Sequence, residues 1–126
     1  MSGRRSRNKG KAFEQKVARE LREIFGEQVA RGWQSRSGDN APDIVGCGPL
    51  WVEAKHHKLA PIRGAIRQAQ AAQKAYSEHH PDNPLPYVMA VTKDDRTKPL
   101  VTMEWEVFKE LLAEWWELKC KEESDG

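Results

Sequence analysis

The chain has 126 residues, of which 32% are charged and 38% hydrophobic, and its net charge is +2 at pH 7. This length predicts one domain, since domains usually hold ~100–200 residues. No apolar run approaches the ~20 residues of a membrane span and no signal-peptide pattern opens the chain, so we expect a cytoplasmic protein without a membrane partner. Cys47 and Cys120 are the only cysteines and form no CxxC pair. We therefore expect free thiols and no structural zinc site.

The small net charge conceals an asymmetry along the chain. Residues 1–36 carry ten Lys and Arg against four Asp and Glu, whereas residues 104–126 carry three against eight. A basic front of this kind predicts contact with a polyanion. Residues 1–11 have no hydrophobic periodicity and are predicted to form a flexible arm, which either contacts phosphates or only aids solubility. The basic residues of the arm are Arg4, Arg5, Arg7, Lys9 and Lys11.

The next segments predict a helix followed by a strand. Phe13, Val17 and Leu21 fall at helical spacing within residues 12–25, and Glu14 borders this apolar stripe. Residues 28–36 alternate as a strand does, and residues 37–42 have the composition of a loop.

Two short apolar segments, Ile44-Val45 and Leu50-Trp51-Val52, flank a Gly-Cys-Gly-Pro breaker and predict a hairpin. With a three-residue loop, Asp43 faces Glu53 with the Cβ atoms roughly 5 Å apart; a two-residue loop would place them on opposite faces. Carboxylates that close repel each other unless a cation lies between them, and oxygen ligands suit Mg²⁺ or Mn²⁺. The alternative is a surface hairpin on which Glu53 and Lys55 form a loose ion pair.

The second half of the chain predicts a helix, two strands and a final helix. Residues 61–79 are predicted to be helical, with an apolar stripe that includes Ile66, Ala69 and Tyr76. Arg63 and Arg67 fall on a separate stripe that faces either DNA or solvent. The strands are expected at residues 87–92 and 99–102. Two glutamines of the helix, Gln70 and Gln73, are further candidates to lie near a metal.

A last helix is predicted from about Glu104 to Leu118, followed by a polar tail over residues 119–126. Trp105, Trp115 and Trp116 are too many for one side of a small core. They predict either a partner surface, most simply for a second copy of the chain, or a cap on the sheet within the monomer.

Several of these motifs, in this order and spacing, resemble a known family. Pro42-Asp43, nine residues and then Glu53-Ala54-Lys55 resemble the PD-(D/E)xK nuclease signature. Together with Gly10-Lys11-Ala12-Phe13-Glu14 and Arg36-Ser37-Gly38, they are similar to the archaeal-type Holliday junction resolvases and their phage and bacterial relatives. The similarity covers residues 9–55 well and continues more loosely to about Leu112.

The resemblance implies roles for particular residues. Glu14, Asp43 and Glu53 would serve a Mg²⁺ site at which Mn²⁺ can substitute, and Lys55 would be catalytic, so that all four would form the catalytic set. The backbone carbonyl of Ala54 is a further candidate metal ligand. Arg36 best matches the arginine of the family's Arg-Ser-x-Gly loop, although this chain reads Arg-Ser-Gly and Arg31 is a rival match.

Taken together, the sequence predicts an α/β domain over residues 12–118, with a mixed central sheet flanked by helices. The resemblance implies a restriction-endonuclease-like core and a homodimeric, metal-dependent endonuclease acting on branched DNA such as a four-way junction. Three alternatives stay open. The first is a different nuclease of the superfamily (flap, mismatch or restriction-like), and the second is a non-catalytic DNA-binding protein on the same scaffold. The third is a protein-interaction module that uses the Trp-rich helix.

Overall fold

A computed structural model of the protein describes residues 2–32 and 41–125. Within these ranges, three helices and five strands follow one another in the predicted order: α1 (Ser2–Phe25), β1 (Ala30–Arg31), β2 (Ile44–Val45), β3 (Leu50–His57), α2 (Ile62–His79), β4 (Tyr87–Asp94), β5 (Leu100–Thr102) and α3 (Trp105–Asp125). The strands form one sheet in the order β1-β2-β3-β4-β5. Among the described strands only β3 and β4 pair in parallel, so the predicted α/β fold with a mixed central sheet is confirmed.

The alternation of β3 divides the core between the two faces of the sheet. Val52 and Ala54 point to the face covered by α1, where they pack with Phe13, Val17 and Ala18. Trp51 points to the opposite face and packs with Ala69 of α2 and Val88 of β4. Since side chains two apart on a strand share a face, Glu53 and Lys55 lie on the α2 side with Trp51.

The hairpin between β2 and β3 has the three-residue loop of the first alternative. Ile44 pairs with Val52, so the next pair outward sets Asp43 opposite Glu53, as predicted. Gly46 adopts φ +88° at the end of β2, and a Cβ there would lie 2.6 Å from the carbonyl oxygen of Gln28. A side chain at this position would therefore clash with the backbone that leads into β1.

The ends of the chain differ from the prediction. Residues 2–11 are not a flexible arm, because α1 begins at Ser2 and runs without a break into the predicted helix. Arg and Lys are good helix formers, and Lys9 is held by an ion pair with Asp95. Residues 119–125 are likewise not a separate tail but the last turns of α3, where Lys119 pairs with Glu122.

The predicted strand over residues 28–36 is reduced to β1 in the described part, and residues 33–40 lie outside it. None of the helices in the described ranges is long and apolar enough to cross a membrane.

We predict that Gly46→Ala lowers the free energy of unfolding by about 1–3 kcal/mol, since a strained backbone and a backbone clash are added together. Gly48→Ala is the matched control, because Gly48 also has a positive φ (+58°) but a Cβ at this position would meet no other atom within 4 Å. Urea denaturation of both variants in EDTA measures the difference. Equal losses would show that the Gln28 contact does not constrain the hairpin.

Candidate active site

Asp43 immediately precedes β2 and is fixed from two sides. Its carboxylate oxygen Oδ2 accepts a hydrogen bond of 2.9 Å from the backbone N–H of Ala54, and its carbonyl oxygen accepts one of 2.7 Å from the N–H of Gly32. The side chain is buried. These two hydrogen bonds therefore hold Asp43 in a defined position against β3, and that position could not be predicted from the sequence alone.

Glu53 lies beside Asp43 and is oriented by a tryptophan. The indole Nε1–H of Trp51 donates a hydrogen bond of 2.9 Å to Glu53 Oε1. Burial, a hydrogen bond to the Asp43 carboxyl and the charge of Asp43 raise the pKa of Glu53 to about 8, against the lowering effects of Trp51 and Lys55. At neutral pH the two carboxyl groups therefore share a proton, which removes the repulsion expected of two close anions.

Glu14 reaches the same region from α1 but is held by an arginine. Arg31 of β1 donates to Glu14 Oε2 from Nε at 3.0 Å and from Nη2 at 2.8 Å. Burial raises the pKa of Glu14 and the Arg31 hydrogen bond opposes that shift, while the charge of Asp43 raises it further. Asp43 is thus close enough to Glu14 for their charges to interact.

Lys55 completes the group. It follows Glu53 by two residues on the same face of β3, and its ammonium acts to lower the pKa of both Glu14 and Glu53. The four residues predicted to be catalytic are therefore brought together, although they come from α1, the start of β2 and β3.

The arrangement offers a divalent ion two carboxyl groups rather than three. Among the described residues, no set of three or more His, Cys, Asp or Glu side chains is arranged to hold a metal ion. Asp43 and Glu53 supply oxygen donors that fit Mg²⁺ or Mn²⁺ once their shared proton is lost. Glu14 would have to exchange Arg31 for the metal to join them.

The residues predicted to bind DNA occupy three different places. Arg4, Arg5, Arg7 and Lys11 are exposed on α1, whereas Lys9 is paired with Asp95 and Arg31 with Glu14. Arg63 and Arg67 line an open groove of about 380 Å³ between α2 and the β5–α3 junction, on the β5 side of the sheet. Arg36 lies outside the described residues.

The glutamines of α2 bond elsewhere. Gln70 Nε2 donates to Glu104 Oε2 at 2.7 Å and Gln73 Nε2 donates to the carbonyl oxygen of Pro84 at 2.8 Å. These bonds attach α2 to the α3 entry and to the loop before β4. The two side-chain amides are therefore directed at these partners and not at the carboxyl pair.

Sequence reasoning missed two partners of the site. The strand pattern presents Trp51 only as an apolar residue, although its position two before Glu53 puts both on one face and could have indicated the bond. For Arg31 the sequence predicts only a DNA contact, and no local signal joins it to Glu14, 17 residues away.

In comparisons with protein-family models, curated proteins and solved structures, nothing matches this chain.

We predict that the metal-free protein loses stability as the pH rises from about 4.5 toward 8. The pKa of Glu53 is about 8 in the folded chain against an ordinary 4.5, so the folded state holds a proton that the unfolded state releases across this window. Stability from this group is full below the lower value and is lost as the pH passes the upper one. Urea titrations in EDTA from pH 5 to pH 8.5 measure this slope.

Glu53→Gln keeps a neutral hydrogen-bonding side chain at this position and should flatten the slope over the same window. Glu78→Gln, at a position on the solvent side of α2, is the matched control and should leave it unchanged. Because the pKa of Glu14 is also raised, a smaller slope of the same sign should remain. A slope as steep in Glu53→Gln as in the wild type would show that the Glu53 proton is not its cause.

Proposed function

We propose that this chain is a divalent-metal-dependent DNA endonuclease with a restriction-endonuclease-like core, of Holliday-junction-resolvase type. One observation carries the proposal: Asp43 stands opposite Glu53 with Lys55 on the same face and Glu14 nearby. The order and spacing of these residues resemble the resolvase pattern, and the positions that the pattern requires to converge do converge.

The chain's own residues suit phosphodiester hydrolysis. Asp43, held by the Ala54 N–H, and Glu53, held by the Trp51 indole, present preorganised oxygens at one point of the sheet. The Lys55 ammonium beside them can orient a water or offset charge on a phosphate. A bound Mg²⁺ or Mn²⁺ would polarise the phosphate and lower the pKa of a bound water.

The bond between Arg31 and Glu14 has a direct role in this proposal. Of the three carboxyl groups described at the site, Asp43 and Glu53 are left to bind a metal ion while Arg31 holds Glu14. A DNA phosphate approaching Arg31 offers it another anionic partner, which would free Glu14 for the metal site. Metal and DNA would then favour each other's binding.

One observation favours a second candidate, the non-catalytic DNA-binding protein. The described residues hold no ready three-group metal site, and a pure binder needs none. Cleavage and binding must therefore be measured separately.

We predict that the wild type cuts a four-way junction in paired, Mg²⁺-dependent events and that EDTA abolishes cutting. Asp43→Asn and Lys55→Ala should lower the single-turnover rate by about 10²–10³-fold or more, because each removes a group at the reacting phosphate. Asp82→Asn and Lys58→Ala make the same charge changes at exposed positions and should keep the rate. A flap, a plain duplex and a single strand are assayed in parallel.

Equal cutting of several substrates would retain the nuclease and discard the resolvase. Junction binding without any cutting, in Mg²⁺ and in Mn²⁺, would favour the non-catalytic binder. Full activity in Asp43→Asn would overturn the site assignment.

The proposed enzyme is a homodimer, and α3 is the surface that supports this. Within the described residues α3 buries none of its side chains, although Trp105, Phe108, Leu112 and Trp115 form an apolar stripe at spacings of three and four. Trp105 is 61% exposed and Trp115 52%. With Val101 and Trp116 this stripe exposes roughly 700 Å², close to the ~800 Å² that each partner of a standard interface buries.

The inner side of α3 is attached to the domain by a polar contact. The Tyr87 hydroxyl donates to Glu114 Oε1 at 2.6 Å, and this bond raises the pKa of Tyr87 to about 12. The contact fixes how α3 lies on β4 and leaves the apolar stripe turned outward. A second copy related by a two-fold axis would cover each stripe with its own equivalent.

We predict a dimer by sedimentation velocity at micromolar concentration, and a monomer for Leu112→Glu, whose charge cannot be buried in the interface. Ala113→Glu places the same charge on an exposed position outside the stripe and should remain dimeric. A wild-type monomer at all concentrations would reject the homodimer and favour a different protein as the partner of α3.

A further inference from the structure

Lys9, Asp95 and His56 form a cluster that the proposed chemistry does not use. Lys9 Nζ lies 2.8 Å and 3.0 Å from the two carboxylate oxygens of Asp95, which follows β4. His56 Nε2 of β3 lies 2.9 Å from Asp95 Oδ1. The His56 ring also meets Phe13 of α1 edge-on at 5.6 Å. The cluster therefore attaches the first half of α1 to the carboxyl ends of β3 and β4.

The opposite flank of the same helix carries a basic row. Arg4, Arg7 and Lys11 follow one another at spacings of three and four, and Glu14 is the next position in the series, so the four lie along one side of α1. The three basic side chains are exposed. At 1.5 Å per residue, Arg4 lies about 15 Å along the axis from Glu14. The basic row thus leads toward the carboxyl group of the candidate active site.

The two flanks face different parts of the sheet. Lys9 faces the end of β4 through Asp95, whereas Glu14 faces β1 through Arg31. The strands β1 and β4 lie on opposite sides of β3. The flank of α1 that carries Glu14 and the basic row therefore faces the β1–β2 side of the sheet.

We propose that the first half of α1 is a rigid DNA-binding surface whose basic row contacts successive phosphates leading into the active site, and that Asp95 is the positioning residue that holds it there. This inference rests on the proposed action on DNA. In this proposal the basic residues lie on a helix of fixed direction and not on the flexible arm that the sequence predicts.

The basic helix needs such an anchor. Arg7 and Lys11 are like charges four residues apart, which destabilises a helix, and the ends of a helix fray unless a contact holds them. Asp95 contributes the opposing charge. The hydrogen bond from Lys9 contributes most to holding the pKa of Asp95 below its ordinary value, and His56 lowers it further.

His56 is a hydrogen-bonding member of the cluster. Burial, Lys93 and Lys9 lower its pKa, and Asp95 opposes them. The Asp95 carboxylate can only accept a hydrogen bond, so the ring donates its Nε2–H to it. The direction of α1 is then set by one carboxylate bonded on two sides.

Asp95 gives a test in which two explanations predict opposite signs. If Asp95 only adds negative charge near a basic surface, Asp95→Asn strengthens binding to DNA, because a repulsive charge is removed. If Asp95 positions α1, the same change weakens binding, because the basic row loses its alignment. Removing Lys9 instead does not separate these explanations, since it also removes a positive charge.

The experiment measures binding of a labelled DNA duplex by fluorescence anisotropy in EDTA, with NaCl varied from about 50 to 300 mM. EDTA separates binding from cleavage. We expect Asp95→Asn to bind about 3–10-fold more weakly at about 100 mM salt, with a shallower salt dependence by about 1–2 in the log–log slope. Asp82→Asn removes an exposed loop carboxylate and should bind like the wild type or slightly tighter.

Two further measurements exclude a general loss of folding. Amide hydrogen exchange should accelerate in residues 4–11 of Asp95→Asn while β3 and β4 stay protected. In a Lys9→Met background, Asp95→Asn should no longer weaken binding, because the ion pair is already lost. Lys9→Met itself should weaken binding more than Lys16→Met, which removes a lysine elsewhere on α1.

Unchanged or tighter binding by Asp95→Asn would overturn the positioning role. A wild type that binds no DNA in EDTA or in Mg²⁺ would overturn this inference together with the nuclease proposal. The wild-type and variant arms therefore distinguish the two failures.

Discussion

The pairing of Ile44 with Val52 is the constraint on which the site depends. It sets Asp43 opposite Glu53, and a slip of one residue would send the two carboxyl groups to opposite faces of the sheet. The loop that fixes this register uses Gly46 where the backbone passes close to Gln28. The Ala54 N–H then bonds the Asp43 carboxylate, so the same register also orients the side chain. The position of the Asp43 carboxylate is therefore set by backbone contacts.

Close carboxyl groups need a positive charge between them, and without a metal a proton takes this place. Burial and the Asp43 hydrogen bond raise the pKa of Glu53 and keep it protonated to about pH 8. A divalent cation would replace that proton, and its binding would release it. Glu14 follows a different rule, since Arg31 neutralises it by a direct ion pair. Different ligands would therefore free the two acids. A metal ion would displace the proton of Glu53, and an anion that binds Arg31 would release Glu14.

Local patterns in the sequence are enough to predict the element order and the mixed sheet, but they leave two hairpin registers open. These features depend on alternation, helical spacing and turn residues that lie close together along the chain. The ends of the chain are predicted less well. The anchor of α1 is Asp95, 86 residues from Lys9, and no local pattern joins them. Residues 119–125 are almost entirely polar, so composition offers no apolar face by which to extend α3.

The side-chain partners in the site also divide into those that are close in the sequence and those that are distant. The bond from Trp51 to Glu53 joins neighbours on one strand face and is available from the sequence. The bonds of Glu14 to Arg31 and of Gln73 to Pro84 depend on how helices pack on the sheet, which spacing does not determine. The convergence of the four residues is therefore expected only from the family resemblance, and the partner that holds Glu14 away from a metal is not predicted at all.

The sheet order separates the two surfaces that we assign to partners. The basic row of α1 and the Arg31–Glu14 pair lie toward β1, whereas Val101 of β5 and the apolar stripe of α3 lie at the opposite edge. Four strand spacings of about 4.8 Å span the sheet between these edges. A second copy bound through α3 would therefore leave the β1 edge of the sheet, where Glu14 lies, open to DNA. The charge asymmetry of the sequence has the same arrangement, since the basic row of α1 lies toward the edge that we propose for DNA and the acidic α3 lies away from it, where it would not repel the phosphates.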